Sequence, residues 1–398
     1  MFEADSQDDT IYLDYAATTS VHPDVLAEML PYFSQRYGNP SSIYRLGQEA
    51  HAAIDEARSA MARVLGCVAS EIVFTSGATE SINLALKGVA WHQRMEIAAD
   101  QPPHIVTTTI EHHAGLHATE ALARQGFEVT YVPCDATGIV AADAVVAAIR
   151  PETCLVSVMY ANNEVGAIQP IAAIGQVTRR LRVPFHTDAC QAAGALPLNV
   201  DALGVDLLSL SAHKFYGPKG VGLLYVRRGT RITFQQDGGG QESGRRGGTE
   251  AVPLIVGLAV ALERAERLRE ASNVRSAGLR DRFWARLRDV LSDVLLNGPN
   301  DPSLRLANNL NIAFEGVQGE TVLLALDMEG IAASAGSACT TGNSEPSHVL
   351  RAMGLAEERC RASLRFSVGR ETTTEEIDET INVLVDVVAR VRALSGVA

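Results

Sequence analysis

The sequence predicts an α/β protein with a mainly parallel sheet flanked by helices, accompanied by a smaller α+β domain. Three observations support this fold class. The 398 residues, 46% hydrophobic and 20% charged, suit a soluble α/β protein of about two domains. From residue 71 to residue 226, apolar segments of strand length alternate with amphipathic segments of helix length, a pattern typical of parallel sheets covered on both faces. After Gln235 this alternation ends.

The elements follow in chain order. A short strand is predicted at 11–14 and a loop of small residues at 15–19. Two helices come next, from Pro23 to Tyr37 and from about Gly47 to Leu65. The strands of the main sheet are predicted at 71–75, 104–109, 127–132, 153–159, 183–187, 205–210 and 221–226. The helices between them are predicted at about 79–95, 115–125, 141–150 and 171–181.

The C-terminal part has a different character. A loop rich in glycine and arginine precedes a long helical region from about Pro253 to Leu291. The pattern beyond it is strand, helix, strand, glycine-rich loop, helix, strand and helix. We therefore predict a large domain over residues 14–258 and a small domain over residues 259–398, to which residues 1–13 return.

Charge and composition exclude several function classes. The formal net charge of −13 argues against direct binding to nucleic acid or to an acidic membrane. No apolar run is long enough to span a bilayer, and the acidic N-terminus lacks the features of a signal peptide. The six cysteines are scattered without a C-x-x-C pair, so neither a metal site nor a disulfide framework is expected. A cytoplasmic location fits best.

Lys214 is the first candidate for chemistry. It lies in a tight turn, Ser211 to Gly220, directly after an apolar segment that predicts a buried strand. Partial burial lowers the pKa of a lysine, and a neutral amine can form a Schiff base. For this window alone, an ordinary solvated lysine is the more common alternative.

Two further strand ends carry suitable groups. The strand at 71–75 leads through small residues to Thr79, where the amides of a helix N-terminus and a hydroxyl could hold a phosphate. Asp188 ends another apolar strand, where a carboxylate could keep a pyridine nitrogen protonated. For each segment alone, a helix cap is the competing interpretation. Only one strand separates Asp188 from Lys214, so both belong at the same edge of the sheet.

Two more polar residues follow strands. His112 could stack on a flat cofactor and exchange protons near neutral pH, although a packed or capping histidine is the common alternative. Asn163 offers an amide after the strand at 153–159, where a simple turn would also explain it.

A phosphate cup, an acid and a lysine at successive strand ends suit pyridoxal 5′-phosphate (PLP). With these motifs the chain resembles the cysteine desulfurases of the NifS/IscS type, in the class V aminotransferase family of fold-type I PLP-dependent transferases. The resemblance covers nearly the whole chain. Its motifs lie at 12–19, 38–42, 75–80, 111–112, 162–164, 186–188, 212–214, 244–249, 336–339 and 365–367.

The resemblance implies a role for each site residue. Lys214 forms the Schiff base, Asp188 pairs with the pyridine nitrogen and His112 stacks on the ring. Asn163 and Arg365 hold the substrate carboxylate, and Asn163 also borders the cofactor. The other implied cofactor contacts are Gln191 to the phenolic oxygen and Ala78, Thr79, Ser211, His213 and the neighbouring subunit's Thr249 to the phosphate, which implies a homodimer.

Cys339 separates the desulfurases from their relatives. It lies in a polar loop, 335–348, whose residues resemble the group with a long catalytic loop. The resemblance implies conversion of L-cysteine to L-alanine and a persulfide on Cys339 that passes to an acceptor protein, either an iron–sulfur scaffold or a sulfur relay protein. Two features depart from the family: Cys190 stands between Asp188 and Gln191, and the chain stops at Ala398, where a longer scaffold-docking tail is often found.

Three alternatives stay open. A selenocysteine lyase or an aminotransferase could use the same fold and cofactor. A sulfur carrier without turnover needs only the thiol, and the presence of Lys214 and Asp188 beside Cys339 argues against it.

Overall fold

The central element of the structure, a computed structural model, is a seven-stranded sheet; the structure describes residues 10–96, 101–335 and 345–394. The strands are β1 Ile11–Tyr12, β2 Ile72–Thr75, β3 His104–Thr108, β4 Glu128–Val132, β5 Thr153–Ser157, β6 Phe185–Asp188, β7 Leu207–Ser211, β8 Gly222–Val226, β9 Val294–Asn297, β10 Asn309–Phe314, β11 Ile331–Ala332 and β12 Ser363–Ser367.

The helices surround these strands. They are α1 Pro23–Met29, α2 Pro31–Ser34, α3 Arg45–Leu65, α4 Ala78–Glu96, α5 His113–Arg124, α6 Ala142–Ala147, α7 Ile171–Leu181, α8 Val200–Leu203, α9 Gln241–Gly244, α10 Val252–Arg267, α11 Arg269–Val290, α12 Gly319–Met328, α13 His348–Ala352, α14 Glu357–Arg361 and α15 Thr374–Leu394. Among the described residues, none of these helices combines the length and the apolar character needed to cross a membrane.

The large sheet is mainly parallel, as predicted. Its strand order is β2-β8-β7-β6-β5-β3-β4, and all pairs from β7 to β4 are parallel. β8 pairs antiparallel with both β7 and β2. The carboxyl ends of β3, β5, β6 and β7 therefore meet at one edge of the sheet.

Helices cover both faces of this sheet. Ile105 and Val106 are consecutive residues of β3, and each belongs to a different hydrophobic cluster. The cluster around Val106 includes residues of α3, α7 and α10, whereas the cluster around Ile105 includes residues of α4 and α5. Because side chains alternate along a strand, the two clusters lie on opposite faces.

A second core forms around the C-terminal part. The antiparallel sheet β12-β10-β9 packs with α11, α12 and α15 in a hydrophobic cluster that also contains Ile11 and Leu13. β1 pairs in parallel with β11, which brings the N-terminal segment to this part of the molecule.

Two predicted helices are each divided in the structure. The region from Pro23 to Tyr37 forms α1 and α2, and Pro31 begins the second because proline has no amide hydrogen to continue the first. The region 253–291 divides at Leu268 into α10 and α11. α10 packs with the large sheet and α11 with the small one. The domain division after residue 258 stays a prediction, and the packing partners change at Leu268.

Candidate active site

A cavity of about 600 Å³ lies at the edge where the parallel strands end. Its wall includes residues that end or follow β3, β5, β6 and β7, together with the start of α4. Ten of the predicted site residues line it: Ala78, Thr79, His112, Asn163, Asp188, Gln191, Ser211, His213, Lys214 and Arg365. Thr249 is exposed and is not among the lining residues, and Cys339 lies outside the residues that the structure describes.

One side of the cavity is rich in hydrogen-bond donors. α4 begins at Ala78, and the first amides of a helix have no partner within it. The hydroxyl-bearing residues Thr79 and Ser211 line the same side with His213. The connection between β2 and α4 packs closely against β8, since a Cβ on Gly222 would come within 2.6 Å of the Gly77 carbonyl carbon. This side suits an anion such as a phosphate.

Lys214 reaches across the cavity floor to the N-terminal loop. Its Nζ donates to the carbonyl oxygens of Ala16 and Ala17, each at 2.7 Å. Burial lowers the pKa of the Lys214 ammonium, because removal from water disfavours the charged form. The lysine is therefore not an ordinary solvated one.

Asp188 and His112 occupy neighbouring strand ends. Asp188 is 8% exposed, and its Oδ1 accepts from the Cys190 amide at 3.0 Å. The Nδ1 of His112 accepts from the Ala114 amide at 3.1 Å, so this histidine caps α5 as well as lining the cavity. Burial lowers the pKa of His112, although the charge of Asp188 opposes that shift. At neutral pH the imidazole is uncharged and can stack on a flat ring.

Arg365 lines the cavity from β12. It is 2% exposed; its Nη2 donates to Asp14 Oδ1 at 2.6 Å and its Nη1 to the Asn163 carbonyl oxygen at 3.0 Å. The guanidinium is thus fixed in place by groups from two distant parts of the chain. A cation held in this way can receive a carboxylate with little loss of side-chain freedom.

The cysteine in the cavity wall is not a reactive one. Cys190 is 7% exposed, and burial, reinforced by the charge of Asp188, raises the pKa of its thiol well above the ordinary value. Burial also raises the pKa values of the other four described cysteines, Cys67, Cys134, Cys154 and Cys360. A thiolate at neutral pH is therefore disfavoured at each of these five positions.

The structure adds groups that the sequence did not identify. Four further side chains line the cavity: His113, Glu164, Lys219 and His348. The small-residue loop at 15–19 was a visible motif, but its sequence did not indicate that its carbonyl groups hold the lysine. Nothing near His348 in the sequence distinguished it. Within the described part of the chain, no group of three or more metal-binding side chains is placed to hold a metal ion.

The residues present fit PLP. The amides and hydroxyls near α4 match a phosphate, Asp188 matches a pyridine nitrogen, and Lys214 offers an amine of lowered pKa to an aldehyde carbon. The cavity volume is ample for a cofactor with a small amino acid beside it.

Known proteins resemble this chain over nearly its whole length. The family description for class V aminotransferases matches residues 11–380. The cysteine desulfurase IscS of Dictyoglomus turgidum is 46% identical over 97% of this chain and 96% of its own, and that of Methanosarcina thermophila is 47% identical over 98% and 95%. Among solved structures, a NifS-like protein superimposes with a TM-score of 0.88 at 37% identity, covering 96% of this chain and 100% of its own. A structure of SspA in complex with cysteine has a TM-score of 0.80 at 40% identity, covering 90% and 99%.

Proposed function

The chain belongs to the class V aminotransferase family and is a PLP-dependent cysteine desulfurase, and we propose that it transfers the sulfur of L-cysteine to Cys339 with the residues of this cavity. The observation that carries the proposal is that Lys214, Asp188 and Arg365 line one cavity. The donor-rich start of α4, which suits a phosphate, lines the same cavity. The solved SspA structure, with cysteine bound to a similar protein, supports L-cysteine as the substrate.

The chain holds the cofactor at three points. The amides of Ala78 and Thr79, with Ser211 and His213, bind the phosphate, and Asp188 pairs with the ring nitrogen. Gln191 lies beside Asp188 and bonds to the Ala16 carbonyl at 2.9 Å in this structure; we assign it to the phenolic oxygen. When bound, PLP supplies an electron sink that stabilises negative charge at the Cα of an attached amino acid.

Lys214 moves the Cα proton. The burial that lowers its pKa increases the fraction of neutral amine, which is the form that can accept a proton. Arg365 and Asn163 orient the substrate carboxylate, so that the Cα–H bond faces the amine. His112 stacks on the ring and limits the position of the substrate.

A thiolate accepts the sulfur of the substrate. The Cys339 thiolate attacks the substrate sulfur, and the carbon–sulfur bond breaks with its electron pair remaining on the substrate β-carbon. That carbon takes a proton and becomes the methyl group of L-alanine, while the sulfur stays on Cys339 as a persulfide. A free thiol has a pKa of about 8.5 and is mostly protonated near neutral pH, so Cys339 must lose its proton before this step.

Two further features belong to the proposal. The persulfide passes to an acceptor protein, an iron–sulfur scaffold or a sulfur relay protein. The enzyme works as a homodimer in which Thr249 completes the phosphate site of the neighbouring subunit, and the exposure of Thr249 supports this placement. The five described cysteines are free thiols, which supports a reducing cytoplasmic location.

The test compares Cys339→Ala with the matched variant Cys190→Ala. With Cys339→Ala, L-cysteine should still bind and its Cα proton should still exchange with deuterium, because Lys214 is intact. Alanine formation and the added sulfur mass on the protein should disappear. Cys190→Ala should retain alanine formation, since the buried Cys190 thiol is not available as a nucleophile.

The other outcomes identify the alternatives. Wild-type alanine formation by Cys339→Ala would mean that the protein thiol does not accept the sulfur. Keto acid from the wild-type enzyme would indicate an aminotransferase. Turnover of L-selenocysteine with rejection of L-cysteine would indicate a selenocysteine lyase.

A further inference from the structure

The loop of residues 236–250, here called the arginine loop, is anchored to the turn that begins α4. Arg246 Nε lies 2.9 Å from Glu80 Oε1 and its Nη2 lies 3.3 Å from Oε2. Arg245 donates to the backbone carbonyls of Ser70 and Ile72, just before and at the start of β2. The loop therefore contacts the chain at two places, at the start of β2 and in the first turn of α4.

Glu80 borders the cavity from the first turn of α4. Its Oε2 accepts from the Ser76 amide at 2.7 Å and from the Ser76 hydroxyl at 2.5 Å. These bonds engage the donors of Ser76 and leave the amides of Ala78 and Thr79 to face a ligand. Burial acts to raise the pKa of Glu80, but hydrogen bonds from Arg246 and Ser76 outweigh it and bring that pKa below its ordinary value. Glu80 is therefore ionised at neutral pH.

An ionised carboxylate at this place conflicts with phosphate binding. Glu80 lines the same cavity wall as Ala78 and Thr79, and like charges repel more strongly where water is partly excluded. The side chains of Arg246 and Glu80 are 20% and 22% exposed, so solvent screens them only in part. Arg246 is the cation that neutralises this carboxylate.

The arginine loop is built to hold Arg246 in one position. Glu242 and Ser243 have φ values of 50° and 59°, in the left-handed region that residues other than glycine seldom adopt. The surrounding structure maintains this conformation: the buried Glu242 carboxylate accepts two bonds from Arg58, at 2.7 and 2.8 Å, and one from the Phe74 amide at 3.0 Å. Such local strain persists only where neighbouring contacts hold it.

We propose that Arg246 is a positioning residue for the cofactor, which neutralises Glu80 and thereby makes the start of α4 able to bind the PLP phosphate. The inference rests on the proposed function, because it takes the amides of Ala78 and Thr79 as phosphate donors. In this proposal Glu80 binds the donors of Ser76 and fixes the turn between β2 and α4. Arg246 neutralises the negative charge of Glu80.

The test is a charge-rescue cycle on the full-length apoprotein. PLP affinity is measured by spectroscopic titration for wild type, Arg246→Gln, Glu80→Gln and the double variant. Arg246→Gln should weaken PLP binding about tenfold, and Glu80→Gln in the same chain should restore most of it. Pyridoxal, which lacks the phosphate, should bind all four proteins alike, and the loss in Arg246→Gln should shrink at high salt.

Two more variants separate charge from structure. Arg246→Lys keeps the positive charge and should retain most of the affinity. Arg63→Gln removes a surface ion pair with Glu263, at 2.8 Å, and should change nothing. If the double variant binds PLP as weakly as Arg246→Gln, or if Arg246→Gln binds as wild type does, the inference is wrong. A wild-type protein that binds pyridoxal as tightly as PLP would instead contradict the phosphate site of the proposed function.

Discussion

Lys214 shows how one side chain is prepared by its surroundings. Two backbone carbonyl oxygens hold its Nζ but carry no formal charge to balance an ammonium. Burial therefore decides the direction of its pKa shift, which is downward. The burial of the amine also makes its neutral form more accessible, as the proposed role of Lys214 in bonding an aldehyde and accepting a proton requires.

We predict that Lys214→Ala abolishes both turnover and the visible absorbance of the cofactor-loaded protein, because among the described residues no other amine is held at the Ala16 and Ala17 carbonyls. Lys219→Ala is the matched control, since Lys219 lines the same cavity and follows the same turn. It should keep the absorbance and the activity. Absorbance spectra and alanine formation check both variants, and normal absorbance in Lys214→Ala would refute the assignment.

At the residue scale, the sequence predicted the groups that follow strands better than the groups that pair across the chain. Asp188, His112 and Lys214 meet because parallel strands end at one edge, a rule that needs no coordinates. The Arg365–Asp14 ion pair joins residues 351 positions apart, and the Arg246–Glu80 pair joins residues 166 positions apart. No local pattern encodes such partners, since they depend on how loops fold over the sheet.

Among the elements, β3 and β5 are joined at their ends by a buried carboxyl group. Glu111 Oε1 accepts from the Thr108 hydroxyl at 2.7 Å and from the Met159 amide at 2.9 Å. Burial raises the pKa of Glu111 from 4.5 to about 8. At neutral pH the group is mostly protonated in the folded protein, whereas it ionises on unfolding.

This shift predicts a pH-dependent stability. Because the pKa of Glu111 is raised in the folded state, this group stabilises the fold fully below about pH 4.5. That stabilisation is lost as the pH rises to about 8. Glu111→Gln keeps an amide oxygen as acceptor and cannot ionise. Its melting temperature should rise relative to wild type between about pH 5 and 8 and stay level above that range. Glu379→Gln, at an exposed position on α15, should show no such trend; a flat difference for Glu111→Gln as well would contradict the prediction.

The elements themselves were predicted unevenly. All seven strands of the large sheet lie within about two residues of their predicted positions, because most of them contain apolar or β-branched residues between polar or small ones. The pattern before α12 contained one strand fewer than the structure, which has both β9 and β10. The break at Leu268 was not predictable, since residues 252–290 favour a helix throughout. Different packing partners for α10 and α11 decide it.

For the molecule as a whole, the proposed homodimer places Thr249 in a neighbouring site. We predict that Lys214→Ala and Thr249→Ala complement each other when both chains occur in one dimer. The Thr249→Ala chain then supplies Lys214, and the Lys214→Ala chain supplies Thr249, so one complete site forms. Dimers isolated with two different affinity tags should bind one PLP per dimer at wild-type affinity.

The parent variants serve as controls for this experiment. Homodimers of Thr249→Ala should bind PLP more weakly, and homodimers of Lys214→Ala should lack the covalent absorbance. A hybrid that binds PLP no better than Thr249→Ala would place Thr249 in its own subunit's site. Sedimentation that shows an active monomer at working concentration would contradict the dimer itself.

The pairing of β1 with β11 sets an order for synthesis on the ribosome. The Ile11 amide donates to Gly330 and the Ser367 amide donates to Leu13, so β1 lacks its strand partner until residue 332 has emerged. Ala16 and Ala17, which receive the lysine amine, lie a few residues beyond that strand. A growing chain can therefore assemble its large sheet early, but the anchoring of this loop by β11 and by the Ser367 hydroxyl, which accepts from the Ala16 amide at 2.8 Å, is completed only when translation is nearly finished.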